Sequence, residues 1–144
     1  MFFDNKIFWV SLAGWTVAQL LKVFFDLLTH RKLNLSRLVG AGGMPSSHAA
    51  FVSALTTAVG IVEGWDSTAF AIALVLALIV MYDAAGVRRA VGKQARILNT
   101  LIPRLYHGSN LVNEKEKLKE LLGHSPFEVF SGAVLGGLIA YLLT

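Results

Sequence analysis

Residues 67–82 read STAFAIALVLALIVMY, a run of 16 residues without a charge. At about 1.5 Å per residue, a helix of this length is about 24 Å long, slightly short of the hydrocarbon core of a bilayer. The alternative, a core helix of a soluble protein, requires polar elements to cover it, and the rest of the chain offers none. We therefore interpret this run as the core of a membrane-spanning helix that stands nearly upright.

Composition places the whole chain in the membrane class. At 144 residues, 55% hydrophobic and 15% charged, with a mean hydropathy of +0.61, it is too apolar for a soluble globule and has room for one domain, residues 1–144. Four apolar stretches approach the roughly 17–25 residues that a spanning helix needs. They are residues 7–28, 46–62, 67–85 and 126–144. We predict an all-α polytopic membrane bundle of about four transmembrane helices, with the first span retained because no cleavage site follows it.

The connections between the stretches differ in charge. Eleven of the 13 Lys and Arg residues fall in the first and third connections, whereas the second holds only Glu63 and Asp66. An even number of crossings places the first and third connections on one side of the membrane, and the positive-inside rule makes that side cytoplasmic. A phosphate site also recruits Lys and Arg, so chemistry is an alternative source of the bias.

The third connection, residues 84–125, is too long to be structureless. Its first part, residues 88–101, continues the third span as a cytoplasmic helical extension that we expect to end before Pro103. Residues 113–122 combine a capped start with leucines at helical spacing. This pattern predicts an amphipathic helix that lies on the membrane or on the other helices.

Several classes of protein are disfavoured by composition. The chain has no cysteine, which excludes disulfides and thiolate metal sites. Its net charge is +4, but the basic residues lie between apolar runs rather than on one face with interleaved aromatics, so we expect anionic lipid headgroups as partners and no nucleic acid. No carboxylate cluster resembles a magnesium cage, and we expect neither a metal nor a cofactor. Gly132 and Gly136 form a Gly-xxx-Gly pair, to which we assign helix packing and no chemistry.

Residues 42–48, GGMPSSH, open the second span. Two glycines allow close backbone approach, and a helix N-terminus offers unpaired N–H groups and a partial positive charge that suit a phosphate. The alternative is that Ser46 is merely an N-cap and His48 an interfacial residue. These residues alone do not decide between the two interpretations.

A second histidine precedes the fourth span on the same side of the membrane. Ser125, Pro126 and Glu128 match a capping box, which explains Glu128 without any catalysis. His124 is not explained in that way. A neutral imidazole at a helix N-terminus is able to attack phosphorus while a carboxylate holds its tautomer. The two roles of Glu128 are compatible, since one oxygen can cap while the other faces the ring.

Charged residues at the cytoplasmic ends of the third and first spans are further candidates for the site. Arg88 and Arg89 are either a topological anchor or a phosphate clamp, because guanidinium groups match phosphate oxygens bidentately. Asp83 is placed to orient one of them or to form a structural ion pair. Lys22 lies inside the first span, where a charge suggests function, although pairing with Asp26 and snorkelling is an equal alternative.

Together these segments resemble the type 2 phosphatidic acid phosphatase superfamily, in particular its divergent bacterial and plant branch, described as related to acid phosphatases and vanadium haloperoxidases. The resemblance rests on residues 42–48, on residues 82–89 with Gly92, Gln94, Ala95, Leu98 and Asn99, and on residues 118–129. It covers most of the chain. It implies an integral protein of the bacterial plasma membrane, with the active site facing the cytoplasm by the charge bias above.

The resemblance also implies roles for the polar residues. His124 would be the nucleophile that forms a phosphohistidine, and Glu128 its orienting carboxylate. His48 would be the general acid that protonates the leaving alcohol. Ser46 and Ser47 would hold the phosphate.

This sequence departs from the superfamily motifs, which are Lys-x6-Arg-Pro, Pro-Ser-Gly-His and Ser-Arg-x5-His-x3-Asp. Ser47 stands in place of the usual Gly, Glu128 in place of Asp, and residues 117–118 are Lys-Leu instead of Ser-Arg. Lys22 matches the first-motif lysine, but Thr-His follows at the Arg-Pro positions. The missing arginines must come from elsewhere, and the pair at positions 88–89 supplies the best candidates.

The function that we predict is hydrolysis of a lipid phosphomonoester or pyrophosphate at the membrane surface, with no metal. Phosphatidic acid, phosphatidylglycerol phosphate and isoprenyl diphosphates are candidate substrates. The alternative is a catalytically silent lipid-binding or scaffold protein of the same fold, suggested by the departures above. A vanadate-dependent haloperoxidase shares the histidine architecture, but a membrane-embedded pocket suits acyl or prenyl chains better than halide chemistry.

Overall fold

The computed structural model describes residues 4–30, 43–105, 118 and 123–144. Its regular structure in these residues is helical. The elements are α1 (Lys6–His30), α2 (Ser47–Glu63), α3 (Thr68–Tyr82), a π-helical turn (Asp83–Val87), α4 (Arg88–Leu105) and α5 (Pro126–Leu143). The predicted all-α fold is confirmed. The amphipathic helix predicted within residues 113–122 lies outside the described residues, apart from Leu118.

Three segments of the described chain are long and apolar enough to cross a membrane: Lys6–Leu28, Thr68–Leu101 and Pro126–Leu143. α2 is apolar but has only 17 residues, so it is about 25 Å long. The uncharged core of the third span is as short as expected, since α3 has only 15 residues. The helix does not stop after its uncharged core, because the π-helical turn joins α3 to α4 without a break.

α2 is the central helix of the bundle and packs against α1, α3 and α5. Its inward positions are small, with Ala49, Ala50, Ala54 and Ala58 fully buried. Small side chains let neighbouring helices approach closely when lipid surrounds the bundle. α3, by contrast, buries only Ala73 and Ala77 and presents its large apolar side chains outward, as expected of a helix that faces lipid.

The contact between α5 and the start of α2 depends on glycine. A Cβ added to Gly132 would collide with the backbone oxygen of Ser46, and one added to Gly136 would collide with that of Ala50. The Gly-xxx-Gly pair was expected to serve helix packing, and it does. The same pair brings the backbone of α5 onto the GGMPSSH segment, so that this packing also positions the polar residues described below.

We expect Gly132→Ala to destabilise the protein by about 1–3 kcal/mol, because overpacking here forces the backbones of α2 and α5 apart. Gly137→Ala is the matched control on the same helix, since its added Cβ would lie 3.7 Å from Ser53 Oγ and Thr57 Oγ1, an ordinary contact. Thermal unfolding of both variants in detergent measures the difference. Equal melting temperatures for the two variants would contradict the proposed role of Gly132.

α4 extends the third span as predicted, but it continues to Leu105 instead of ending before Pro103. A proline near the end of a helix removes one backbone hydrogen bond, and here this loss does not stop the last turn. Asn99 on α4 binds the backbone of Leu118 twice, accepting from its N–H at 3.0 Å and donating to its carbonyl at 2.8 Å. The chain that returns towards α5 is thus held against α4 at this residue.

Candidate active site

Residues 43–48 of the GGMPSSH segment lead into α2 and begin its first turn. Ser46 is the N-cap, and its Oγ accepts a hydrogen bond from the N–H of Ala49 at 3.4 Å. Gly43 has a φ of +86°, which glycine adopts without strain. Ser46 and Ser47 are buried, and the Ser46 N–H donates to the carbonyl of Glu128 at 3.0 Å. The capping role considered for Ser46 is therefore present, and a backbone hydrogen bond ties this segment to the first turn of α5.

Lys22 reaches the same helix N-terminus from α1. Its side chain is 3% exposed, and Nζ donates to Ser47 Oγ at 3.4 Å. The aliphatic stem of Lys22 runs past Gly43, where an added Cβ would lie 3.5 Å from its Cγ. A buried ammonium group beside the positive end of a helix dipole creates a strongly positive site, which favours an anion.

The N-terminus of α5 carries the predicted capping box. The N–H of Glu128 donates to Ser125 Oγ at 3.3 Å, and the N–H of Ser125 donates to Glu128 Oε2 at 2.9 Å. The same Oε2 lies 3.2 Å from His124 Nδ1. The expectation that the two carboxylate oxygens divide these tasks is wrong, because one oxygen serves both, as its two lone pairs allow.

His124 is fixed by its backbone and by one ring nitrogen. Its N–H donates to the carbonyl of Ala84 at 2.9 Å, and the ring is 3% exposed. A carboxylate at Nδ1 favours the tautomer that carries the proton there, which leaves a lone pair on Nε2. Nε2 is buried and has no hydrogen-bond partner among the described residues. This arrangement presents an unengaged nucleophilic nitrogen.

The pKa of His124 lies below the usual histidine range. Burial is the largest cause; the hydrogen bond and the charge of Glu128 oppose it, and the charges of Lys22 and Arg88 lower the pKa further. His124 is therefore neutral at pH 7, the form in which an imidazole acts as a nucleophile.

Arg88 is placed by the π-helical turn. Its N–H donates to the carbonyl of Asp83, five residues earlier, and its Nε lies 2.6 Å from Asp83 Oδ2. π-Helical turns place residues i and i+5 in register and are frequent at functional sites. The Arg88 and Asp83 side chains are 48% and 38% exposed, so this ion pair adds little to stability. Its effect is to fix the direction of the guanidinium group.

These groups meet at one cavity of about 230 Å³. We call it the polar cavity because two histidines, an arginine and an aspartate line it. Its lining consists of His48, Ile79, Val80, Asp83, Ala84, Arg88, Gly123 and His124. Both histidines, the arginine and its carboxylate partner thus line the same cavity. Arg89 is exposed like Arg88 but does not belong to the lining, although both arginines were predicted to bind the phosphate. Ser46, Ser47 and Lys22 lie at the adjoining N-terminus of α2.

Sequence reasoning missed two residues that build this cavity. The carbonyl of Ala84 accepts a hydrogen bond from the backbone N–H of His124, and Gly123 has a φ of +92°. A Cβ on Gly123 would collide with the backbone of Arg89. The glycine before His124 was visible in the sequence, but sequence reasoning gave it no role in the site. The carbonyl of Ala84 has no sequence signal, since any residue provides one.

No group of three or more His, Asp or Glu side chains with the spacing of a metal site occurs in the part of the chain that the structure describes. The polar cavity instead combines imidazoles with a guanidinium group and a carboxylate. Cationic and neutral basic groups around a small volume are suited to a tetrahedral oxyanion such as phosphate.

Comparison with known proteins identifies the family of the chain. Residues 3–139 match the model of a family described as the Divergent PAP2 family. The chain is also 43% identical, over 145 residues, to the "Uncharacterized membrane protein YuiD" of Bacillus subtilis (strain 168), covering 92% of this chain and 90% of that protein. No solved structure matches. Since the family model matches nearly the whole chain, the protein is an integral membrane member of the Divergent PAP2 family.

Proposed function

We propose that this protein is a lipid phosphate phosphatase that works through a phosphohistidine. The observation that supports this most directly is His124 itself: a neutral, buried imidazole with Nδ1 on a carboxylate and no described partner at Nε2. It lines a cavity with Arg88 and His48, which supply a positive charge and a proton donor. Family membership supports a phosphatase-related activity.

The proposed reaction has two steps. His124 Nε2 attacks phosphorus, the bond from phosphorus to the lipid oxygen breaks, and His48 gives its proton to that oxygen. Water then attacks the phosphohistidine, His48 takes a proton from it, and inorganic phosphate leaves. For a diphosphate substrate, the leaving group is the lipid monophosphate.

The other polar groups stabilise charge in this proposal. Arg88 faces the equatorial phosphate oxygens, where negative charge develops, and Asp83 keeps its guanidinium group in position. Ser47 and Lys22 bind phosphate at the N-terminus of α2, where the helix dipole assists them. Glu128 retains the proton on Nδ1 and stabilises the positive ring during attack.

Substrate and location follow from the membrane setting. Phosphatidic acid, phosphatidylglycerol phosphate and isoprenyl diphosphates all present a phosphate at the membrane surface. The basic residues of the first and third connections favour a site on the cytoplasmic leaflet of the bacterial plasma membrane.

The test is phosphate release by the purified protein from these three lipids, with a chelator present, for wild type, His48→Ala, His124→Ala and Arg88→Ala. We expect release by wild type and strong losses in each variant. Lack of release from every lipid, at a protein concentration where folding is verified, would favour the silent lipid-binding alternative. Acid-labile phosphate trapped on wild-type protein during turnover would rule that alternative out.

The rate should depend on pH through His124. The neutral ring attacks, so kcat/KM falls as the pH drops through the pKa of His124, and this acidic limb lies below the usual histidine range. Glu128→Gln removes the group that opposes the effect of burial. We expect it to move the limb to still lower pH and to reduce kcat by about 100-fold, because the tautomer is no longer enforced. If the acidic limb of the pH profile moved to higher pH in Glu128→Gln, the proposed pairing of His124 with Glu128 would be contradicted.

A further inference from the structure

An apolar groove adjoins the polar cavity and has no role in the reaction described so far. Its volume is about 480 Å³, within the range of small-molecule sites. Besides His48, its walls are Leu12 and Trp15 of α1, Phe51 and Val52 of α2, and Leu76 and Val80 of α3. His48 is thus the only polar residue of the groove wall among the described residues, which makes water a poor occupant.

The groove lies between α1 and α3, on the surface of α2. Both outer helices pack on α2, whereas their contact with each other is slight. Trp15 and Leu76 are 36% and 45% exposed, so the groove opens sideways, towards the surrounding lipid. A solute in the hydrocarbon region can therefore enter it without passing through water.

The groove also runs from the polar cavity into the bilayer. Lys22 marks the level of the N-terminus of α2 through its hydrogen bond to Ser47. Trp15 and Leu12 precede Lys22 by seven and ten residues, so they lie about 10 and 15 Å deeper along α1. On α2, Phe51 and Val52 lie about one turn below His48.

His48 and Val80 line both spaces, so the groove and the polar cavity meet at His48. The geometry points to one occupant for both: a lipid phosphate whose phosphate lies between His124 and Arg88 and whose hydrocarbon chain lies in the groove. This inference rests on the proposed function for the reaction at the phosphate end. It adds that chain recognition uses α1 and α3, and that the leaving oxygen lies at the junction, beside His48.

Bulk membrane lipid competes for the same groove, and charge distinguishes the two occupants. A neutral lipid gains only the apolar contacts. A lipid phosphate also places its anion beside Arg88 and near Lys22, both of which are cationic. We therefore expect occupancy of the groove to depend on the phosphate as well as on the chain.

The first test is photolabelling of the His124→Ala variant, which under the proposed function does not hydrolyse the probe, by a phosphatidic acid that carries a diazirine within one acyl chain. We expect labels on groove residues of α1 and α3, removed by excess unlabelled phosphatidic acid and at least tenfold less effectively by diacylglycerol with the same chains. Equal competition by diacylglycerol would show that the groove holds bulk lipid only. Labels spread evenly over the lipid-facing surface would overturn the inference.

The second test fills the groove. Leu76→Trp adds an indole inside it, and Leu78→Trp is the matched control, two residues away on α3 at a 56% exposed position outside the lining. Each methylene excluded from an apolar site costs about fourfold in affinity. We expect Leu76→Trp to lower the preference in kcat/KM for long-chain over short-chain phosphatidic acid at least tenfold, and to reduce labelling likewise. Equal behaviour of the two variants would overturn the assignment.

The two proposals fail separately. Labelling of the groove that phosphatidic acid removes, together with absence of phosphate release from every lipid, would leave the chain site in place and reject the phosphatase. Phosphate release with no difference between Leu76→Trp and Leu78→Trp in either measurement would support the phosphatase and reject the groove.

Discussion

We expect the His124→Ala variant to release phosphate at least about 10,000-fold more slowly than wild type, because the group that forms the covalent intermediate is gone. The loss should appear in kcat as well as in kcat/KM. Trapping with a lipid phosphate labelled on phosphorus provides the second measurement. Wild-type protein should retain acid-labile label after a rapid quench, and His124→Ala should retain none.

A folding control separates this loss from damage to α5. Ser125→Ala removes the N-cap oxygen that accepts from Glu128 and should cost about 1 kcal/mol of stability, while His124 remains. His124→Ala leaves that cap intact. We therefore expect the less stable variant to be the more active one. The nucleophile assignment would be wrong if His124→Ala kept its trapped label, or lost activity only in proportion to its melting temperature.

The second large effect is expected on substitution of Arg88 and should be absent on substitution of its neighbour Arg89. Arg88→Ala removes the cation of the polar cavity, and we expect kcat/KM to fall by about 100- to 1,000-fold, as when one donor to a developing oxyanion is removed. Arg88→Lys keeps the charge but not the planar fork of donors, so it should recover only part of the rate. Steady-state kinetics on one lipid phosphate measure all of these variants.

Arg89→Ala is the matched control for Arg88→Ala. The residues are adjacent, carry the same charge, are both exposed and lie at the same end of the third span, but only Arg88 lines the cavity. We expect Arg89→Ala to stay within a few-fold of wild type, with any loss greatest at low salt, where surface charge matters most. A greater loss in Arg89→Ala than in Arg88→Ala would mean that the clamp is assigned to the wrong residue.

The sequence predicted the helices well because their signals are local. Uncharged runs marked the spans, and Ser125 with Glu128 marked the start of α5 to the residue. The extension of the third span was also predicted, but neither its end at Leu105 nor the π-helical turn was. The apolar core ends near Tyr82, and nothing in composition shows that the backbone between this core and α4 forms a π-helical turn.

The histidines and their shared cavity were predicted from charge topology and resemblance, whereas the choice between Arg88 and Arg89 was not. That choice depends on the rotation of the helix after Asp83, which the extra residue of the π-helical turn changes. Similarly, the burial of Gly132 against Ser46 is a contact between distant parts of the chain. Helical spacing predicts which face of a helix carries small side chains, but it does not predict which backbone atoms of another helix will lie against that face.

The three segments that carry the polar residues are joined by main-chain hydrogen bonds, from Ser46 to Glu128 and from His124 to Ala84. Every amino acid except proline can supply such a donor. In a saturation library, proline at position 46 or 124 should therefore abolish expression and membrane insertion, whereas other residues small enough for these buried sites should be inserted but lose turnover. The shape of this framework thus depends on main-chain bonds, whereas its chemistry depends on the side chains that the same residues carry.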